Sequence, residues 1–208
     1  MKPYLILLCA LLGAAPGAPS RAAPPAAGCR IQLGGGAAID YGRIKRNLLR
    51  AAEAAPLPPQ QRQFTLTCEQ PARLALRQSA SDGAAQPAAG GRLGLTPQTS
   101  HGLGRASGRP LGAFALRWRR DGATLDGVPA QLIISSDGGA TWRDMQDDTV
   151  VGDADLIAWS RGGERRPASG RSLTAGVRIE SAIAPTATLY LGREALLDGS
   201  ISLSAIFL

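Results

Sequence analysis

Short apolar segments that alternate with polar residues, each cut off by glycine or proline, constrain this 208-residue chain most strongly. Residues 63–69 place Phe64, Leu66 and Cys68 on one face. Residues 111–119 put Gly112, Phe114, Leu116 and Trp118 on a face that reads as buried. Leu111, Ala113, Ala115, Arg117 and Arg119 take the other side. Residues 177–183 align Val177, Ile179, Ser181 and Ile183. The chain closes on Ile201, Leu203, Ala205 and Phe207 facing one way, with Ser202 and Ser204 facing the other. A period of two belongs to strands. Further strand segments are read at 29–33, 38–44, 72–76, 93–95, 128–135 and 156–160. Turns are read at Gly34-Gly35-Gly36, Asp121-Gly122, Asp137-Gly138-Gly139 and Asp198-Gly199. One or two helical turns fit within 45–55, ended by Pro56, Pro58 and Pro59. Eight or nine strands without alternating helices predict an all-β antiparallel sandwich or barrel rather than βαβ units.

Composition agrees. With 26 glycines, 15 prolines and only three each of Trp, Tyr and Phe, the core must come mainly from Leu, Ile, Val and Ala. The formal charge is +7. Loss of Lys2 and Arg21 with a leader leaves 21 basic against 16 acidic residues, about +5. That excess suits acidic surfaces or polyanions, but no nucleic-acid module accompanies it, so no nucleic-acid partner is expected.

The N-terminus reads as an export signal: Lys2, an apolar run over 4–12, then small residues and prolines. The run is shorter than a transmembrane helix needs, and no later stretch is apolar enough to span a membrane. Cleavage near Ala22, or as late as Ala27, assigns 1–22 to a signal peptide and 23–208 to one domain. A second reading takes Ala26-Ala27-Gly28-Cys29 as a lipidation box, although Pro24 and Pro25 separate it from the apolar run.

Cys9 would leave with the leader. Cys29 and Cys68 remain, and in an exported chain two cysteines are most economically read as one disulfide. Two separately used thiols are the alternative. Neither cysteine lies in a CxxC motif, and His101 is the sole histidine. Neither a metal site nor a cofactor is expected.

Ser135, Asp137, Gly139, Thr141 and Trp142 complete the S-x-D-x-G-x-T-W pattern known as an Asp box, which resembles a sialidase repeat. Such boxes are hairpin-turn devices away from catalytic centres, so a structural turn is expected here; Trp142 is also a candidate for contact with a surface glycan. Asp147, Asp148, Asp153 and Asp155 read as a solvated acidic loop, without the spacing of a calcium hand. His101 lacks a nucleophile elbow to serve. Gly102, Gly104 and Gly108 lack the strand–helix setting of a dinucleotide loop. The basic runs Arg117, Arg119, Arg120 and Arg161, Arg165, Arg166 read as solvated surface, with lipopolysaccharide, acidic glycan or protein as candidate contacts. No enzymatic activity is expected.

Several of these features occur together. Cys29 opens a strand, Asp40-Tyr41-Gly42-Arg43-Ile44 follows a glycine-rich turn, Thr65-Leu66-Thr67-Cys68 completes the spacing, and the chain ends on alternating apolar residues. This resembles bacterial fimbrial subunits of the chaperone–usher type, and still more a family of pilin-like exported proteobacterial proteins. The resemblance implies an incomplete immunoglobulin-like or pilin-like sandwich completed by a donor strand. It implies a Cys29–Cys68 disulfide and gives Tyr41 and Gly42 the family's aromatic–glycine pair. It gives Ile201, Leu203, Ala205 and Phe207 to chaperone binding by β-augmentation. The implied partners are a periplasmic chaperone, an outer-membrane usher and fimbrial subunits; the implied location is the periplasm in transit, then a fimbrium or the cell surface. Residues 22–28 are short and carry paired prolines where polymerising pilins have a long alternating extension. A minor, terminal or non-polymerising subunit therefore fits better than a shaft subunit. The alternative is a secreted or periplasmic binding module on a complete β sandwich, with residues 201–208 as its last core strand.

Overall fold

The computed structural model describes residues 28–36, 38–80, 85–189 and 195–208. The leader, its cleavage site and Cys9 lie outside these residues. Among the described residues fourteen strands and one α-helix follow in chain order. They begin with β1 (Cys29–Leu33), β2 (Ala55–Pro56), β3 (Gln60–Ala80), α1 (Pro87–Arg92), β4 (His101–Gly102), β5 (Arg105–Ala106) and β6 (Arg109–Pro110). Next come β7 (Gly112–Leu125), β8 (Val128–Pro129), β9 (Gln131–Ser135), β10 (Arg143–Asp144) and β11 (Thr149–Val150). The chain continues with β12 (Leu156–Ser160), β13 (Ser169–Ile183) and β14 (Ile201–Phe207). Short 3-10 turns occupy Arg46–Leu48 and Thr186–Thr188.

Every pairing is antiparallel, and the strands form a curled, open half-barrel of the general sandwich or barrel kind. Its path runs β10-β9-β12-β3-β13-β7-β11. The 21-residue β3 organises it. Phe64–Cys68 lies between β1 and β13, whereas 75–77 lies between β14 and β12. The sequence reading broke this strand at Pro71. Instead the strand bulges there: Thr67 pairs with Ser172 and Ala72 with Gly170, so several β3 residues are spanned by two steps of β13. Pro71 falls in that slip, where the ladder does not require its missing N–H.

Other expectations are corrected, and residues 38–44, read as a strand, form none. The chain does not turn back at Asp121-Gly122. β7 runs through it with a bulge between its pairings Arg119–Gly176 and Thr124–Thr174. The reversal comes at Asp126-Gly127, where both residues have positive φ (54° and 76°) and Leu125 pairs with Val128. The Asp126 carboxylate accepts the backbone N–H groups of Ser172 and Arg171 at 2.9 and 2.7 Å and binds Arg161, which together hold its pKa below the usual value. The expected helix within 45–55 shrinks to the single turn Arg46–Leu48. The strand read at 93–95 is instead the exit of α1, begun by Pro87 and capped by the Gln86 side chain, which accepts the Ala89 N–H at 2.8 Å.

The main core lies inside the curl. Phe64 meets Trp118 edge-on at 5.2 Å and stacks on Trp159 at 5.9 Å. Leu66, Leu76, Leu132, Ile157 and Leu173 fill the space around them. Both indoles keep an acceptor: Trp159 Nε1 donates to the Thr174 carbonyl at 2.7 Å and Trp118 Nε1 to Gln78 Oε1 at 3.4 Å. The opposite face of β7 is covered in part as well. Ala113 packs with Ala182, Ala54 and Ala89 beneath α1, and Leu111 joins Leu57, Ile183 and Leu189. Alternation alone could not show this, because alanine is neutral between faces until something packs on it.

Cys29 and Cys68 are joined by a disulfide at directly paired positions of β1 and β3. That bond occupies the Cys29 sulfur that the lipidation reading required. It closes a loop with a sequence separation of 39. The joint substitution Cys29→Ser and Cys68→Ser is expected to lower the free energy of unfolding by roughly 2–5 kcal/mol. Equilibrium denaturation of the oxidised protein and of the double variant measures it.

Candidate functional site

The C-terminal residues and Cys29 come together on one edge of the sheet. β1 and β14 both run antiparallel to β3 and lie end to end along the same side of it, β14 beside Leu74–Ala80 and β1 beside Phe64–Cys68. Among the described residues neither strand pairs with anything else.

Backbone alternation shows what this edge offers. Leu208 N donates to the Arg73 carbonyl, and Gly34 N to the Gln63 carbonyl. Alternate residues of an antiparallel pair share such bonds. Ser202, Ser204 and Ile206 therefore turn their backbone groups towards β3, as do Arg30 and Gln32. The N–H and C=O groups of Ile201, Leu203, Ala205 and Phe207, and those of Cys29, Ile31 and Leu33, point away from β3 along the edge.

The side chains of Ile201, Leu203, Ala205, Ile31 and Leu33 are only partly buried, yet they pack against the main core. β14 contains no charged residue, and charges or prolines are what usually protect a lone edge from pairing. Phe207 departs from the expected inward row. It is 53% exposed, and its neighbour Ile206 packs instead on the outer face with Trp142 and Leu156.

Tyr41 and Gly42 lie away from this edge. The Tyr41 hydroxyl donates to Ser181 Oγ at 3.1 Å, and its ring packs on the Leu111–Ile183 cluster. Gly42 has a φ of 60° and gives its N–H to the Asp40 carboxylate at 2.6 Å, a turn that favours glycine.

The Asp-box residues form a closed hydrogen-bonded turn between β9 and β10. Ser135 Oγ donates to Asp137 Oδ1 at 2.6 Å and accepts the Gly139 N–H at 2.8 Å. Asp137 also accepts the Thr141 N–H at 2.9 Å and the Thr141 hydroxyl at 2.5 Å. Trp142 Nε1 donates to the Gly139 carbonyl at 3.0 Å. The hydroxyls of Ser135 and Thr141 and the Thr141 amide hold the Asp137 pKa far below the usual carboxylate value.

The acidic stretch is divided among separate partners. Asp147 binds Arg119 and the Arg120 N–H, and Asp148 lies 3.8 Å from Arg178. Asp155 accepts from Ser136 Oγ and Gly152 N, and Asp153 faces His101 at 3.9 Å. Among the described residues no group of three or more His, Cys, Asp or Glu side chains is placed to hold a metal ion. His101 is buried against Phe114. Burial lowers its pKa and the Asp153 charge partly opposes that.

The arginine runs are largely neutralised. Arg117 binds Glu180 at 2.6 Å, Arg161 binds Asp126 at 3.0 Å, Arg165 binds Asp144 at 3.2 Å and Arg166 binds Glu164 at 2.7 Å. Glu164 lies within its own arginine run, two residues from Arg166; sequence reading missed the other three pairs because Glu180, Asp126 and Asp144 lie on different segments from the arginines they neutralise.

No protein-family model matches the chain, and no curated protein matches it. Among the described residues no helix is long and apolar enough to cross a membrane.

Asp137 is ionised through most of the pH range, and its folded pKa lies below the unfolded one. Its hydrogen bonds therefore stabilise the fold above the ordinary carboxylate pKa, and that stability is lost as pH falls. Asp137→Ala is expected to lower the thermal midpoint at pH 7. The gap from the unaltered protein should narrow as pH drops below about 4. Melting curves over a pH series test this.

Proposed function

We propose that the chain is an exported, pilin-like structural subunit, minor or terminal in its assembly, whose β1–β14 edge accepts a strand from a partner. In this reading a periplasmic chaperone occupies the edge during transit, and an usher and fimbrial subunits follow. The observation that carries the proposal is the uncharged edge of β14, with backbone groups directed outward and Ile201, Leu203 and Ala205 only partly buried. An added strand would complete the backbone ladder and cover those side chains, as β-augmentation does. The Cys29–Cys68 disulfide secures the other segment of the same edge to β3.

A second reading also has an observation behind it. β14 is already bonded to β3, and Phe64, Trp118 and Trp159 are fully enclosed without any added strand. That favours a self-sufficient domain acting as a binding module.

The experiment uses the full chain co-expressed with a candidate periplasmic chaperone, alongside a form lacking residues 199–208 and the variant Ala205→Pro. Proline at 205 removes an N–H that points away from β3, so it spares the β14–β3 ladder and blocks an incoming strand. The subunit reading expects a stable complex, loss of soluble protein without the tail, and capture weakened about tenfold or more by Ala205→Pro at nearly unchanged melting temperature. A stable monomer that captures no strand, whatever stands at 205, would overturn it in favour of the binding module.

A further inference from the structure

The end of the molecule where β13 finishes carries a second surface, distinct from the β1–β14 edge. A groove of about 690 Å³ lies between the 39–46 segment and residues 195–197. Leu49, Leu111 and Ile183 give it an apolar lining, and Leu111 and Ile183 are rooted in a buried cluster. Arg43, Lys45 and Arg46 line it as cations. Asp40 is the sole carboxylate among its described lining residues, and it already holds the Gly42 N–H. Arg161, Arg165 and Arg166 each face a carboxylate, whereas Lys45 and Arg46 form no salt bridge among the described residues. The β5–β6 hairpin adds Arg105 and Arg109 nearby, its Ala106 packing on the same apolar cluster.

One exposed leucine lines this groove, and a second flanks its lining residues in the chain. Leu196, one of its lining residues, is 76% exposed. Leu48, between the lining residues Arg46 and Leu49, is 62% exposed. A lone exposed leucine means little. Two leucines beside a cationic groove on an apolar base form the pattern of a peripheral membrane contact, in which apolar tips enter the headgroup boundary and cations meet lipid phosphates. A soluble acidic sugar would satisfy the cations but leave both leucines in water.

We propose that this groove docks the protein on an anionic phospholipid surface, with Leu48 and Leu196 entering the headgroup layer and Lys45 and Arg46 binding lipid phosphates. The contact is independent of strand acceptance, since it uses neither β1 nor β14. Each cation near an anionic leaflet raises partitioning about fivefold, so the contact is salt-sensitive and reversible.

The test measures co-sedimentation of the full chain, as processed by the expressing cell, with phosphatidylcholine vesicles with or without about 30 mol% of the anionic lipid phosphatidylglycerol. Binding is expected only with the anionic lipid and should weaken as salt rises. Lys45→Gln with Arg46→Gln should lower partitioning about 30-fold, and Leu48→Ser about tenfold. The control Arg165→Gln with Arg166→Gln removes the same charge before the start of β13, at its other end, and should change little. All these side chains are exposed, so circular dichroism should show every variant folded. Equal binding to neutral vesicles, or equal losses from the two double variants, would overturn the proposal. So would capture of a soluble polyanion such as heparin as strongly as anionic vesicles, with no effect of Leu48→Ser.

Discussion

The bulge of β3 between Thr67 and Ala72, where a bulged strand bends, is the constraint on which the rest of the fold depends. One strand cannot serve two differently oriented parts of a sheet unless its ladder breaks somewhere. Here the break coincides with the bulge against β13 and with Pro71, which has no N–H to contribute. Before the bend, β3 sends Phe64 and Leu66 into the core; after it, Leu74 and Leu76. The disulfide fastens β1 to β3 at Cys68, immediately before the bend, so the change of direction is braced covalently where the hydrogen-bond ladder is weakest.

Short polar devices then define where the sheet reverses. Asp137 gathers the N–H and O–H donors of its own tight turn, whereas Asp126, at the β7–β8 reversal, accepts the backbone N–H groups of Arg171 and Ser172 where β13 shifts register. Charge is handled differently on the faces. Glu180 lies between Arg117 and Arg178 on adjacent strands, so the outer surface of β7 and β13 is tied together by ion pairs. What remains for partners is therefore localised. The β1–β14 edge offers backbone groups and little charge, while the groove beside Lys45 and Arg46 offers charge and leucine and no open ladder. These chemistries suit different partners, a strand in one case and an anionic surface in the other.

Much of the strand content was legible in the sequence because period-two alternation survives wherever one face is buried. Residues 63–69, 177–183 and 201–205 illustrate it; 156–160 is instead a short continuous apolar run buried on both faces. The Asp-box turn was legible too, because its bonds join residues within eight positions of one another. The helix at 87–92 was not, since Pro-Ala-Ala-Gly-Gly-Arg carries no amphipathic period and is held by packing against Ala113 and Ala54. The reversal at Asp126-Gly127 was missed because Asp121-Gly122 offers the same dipeptide. Only the register with β13 decides which of the two reverses the chain and which forms a bulge. Of the candidate site, the alternating C-terminal residues were visible, but the exposure of Phe207 was not, because alternation does not show what the rest of the chain covers.

The sequence by itself determined that this chain builds an antiparallel β structure with tight Asp–Gly and Gly–Gly turns, and that its last residues form an uncharged alternating strand. Those properties depend on local geometry: the two-residue period, positive φ at glycine, and side chains that bond within their own turn. Tertiary structure decided that β14 and β1 share one side of β3, and that Leu196 lines the same groove as Arg46 and Leu49, which flank the exposed Leu48 about 150 positions earlier. Such arrangements depend on long-range register and on which surfaces are covered, and neither is encoded within any single window of residues.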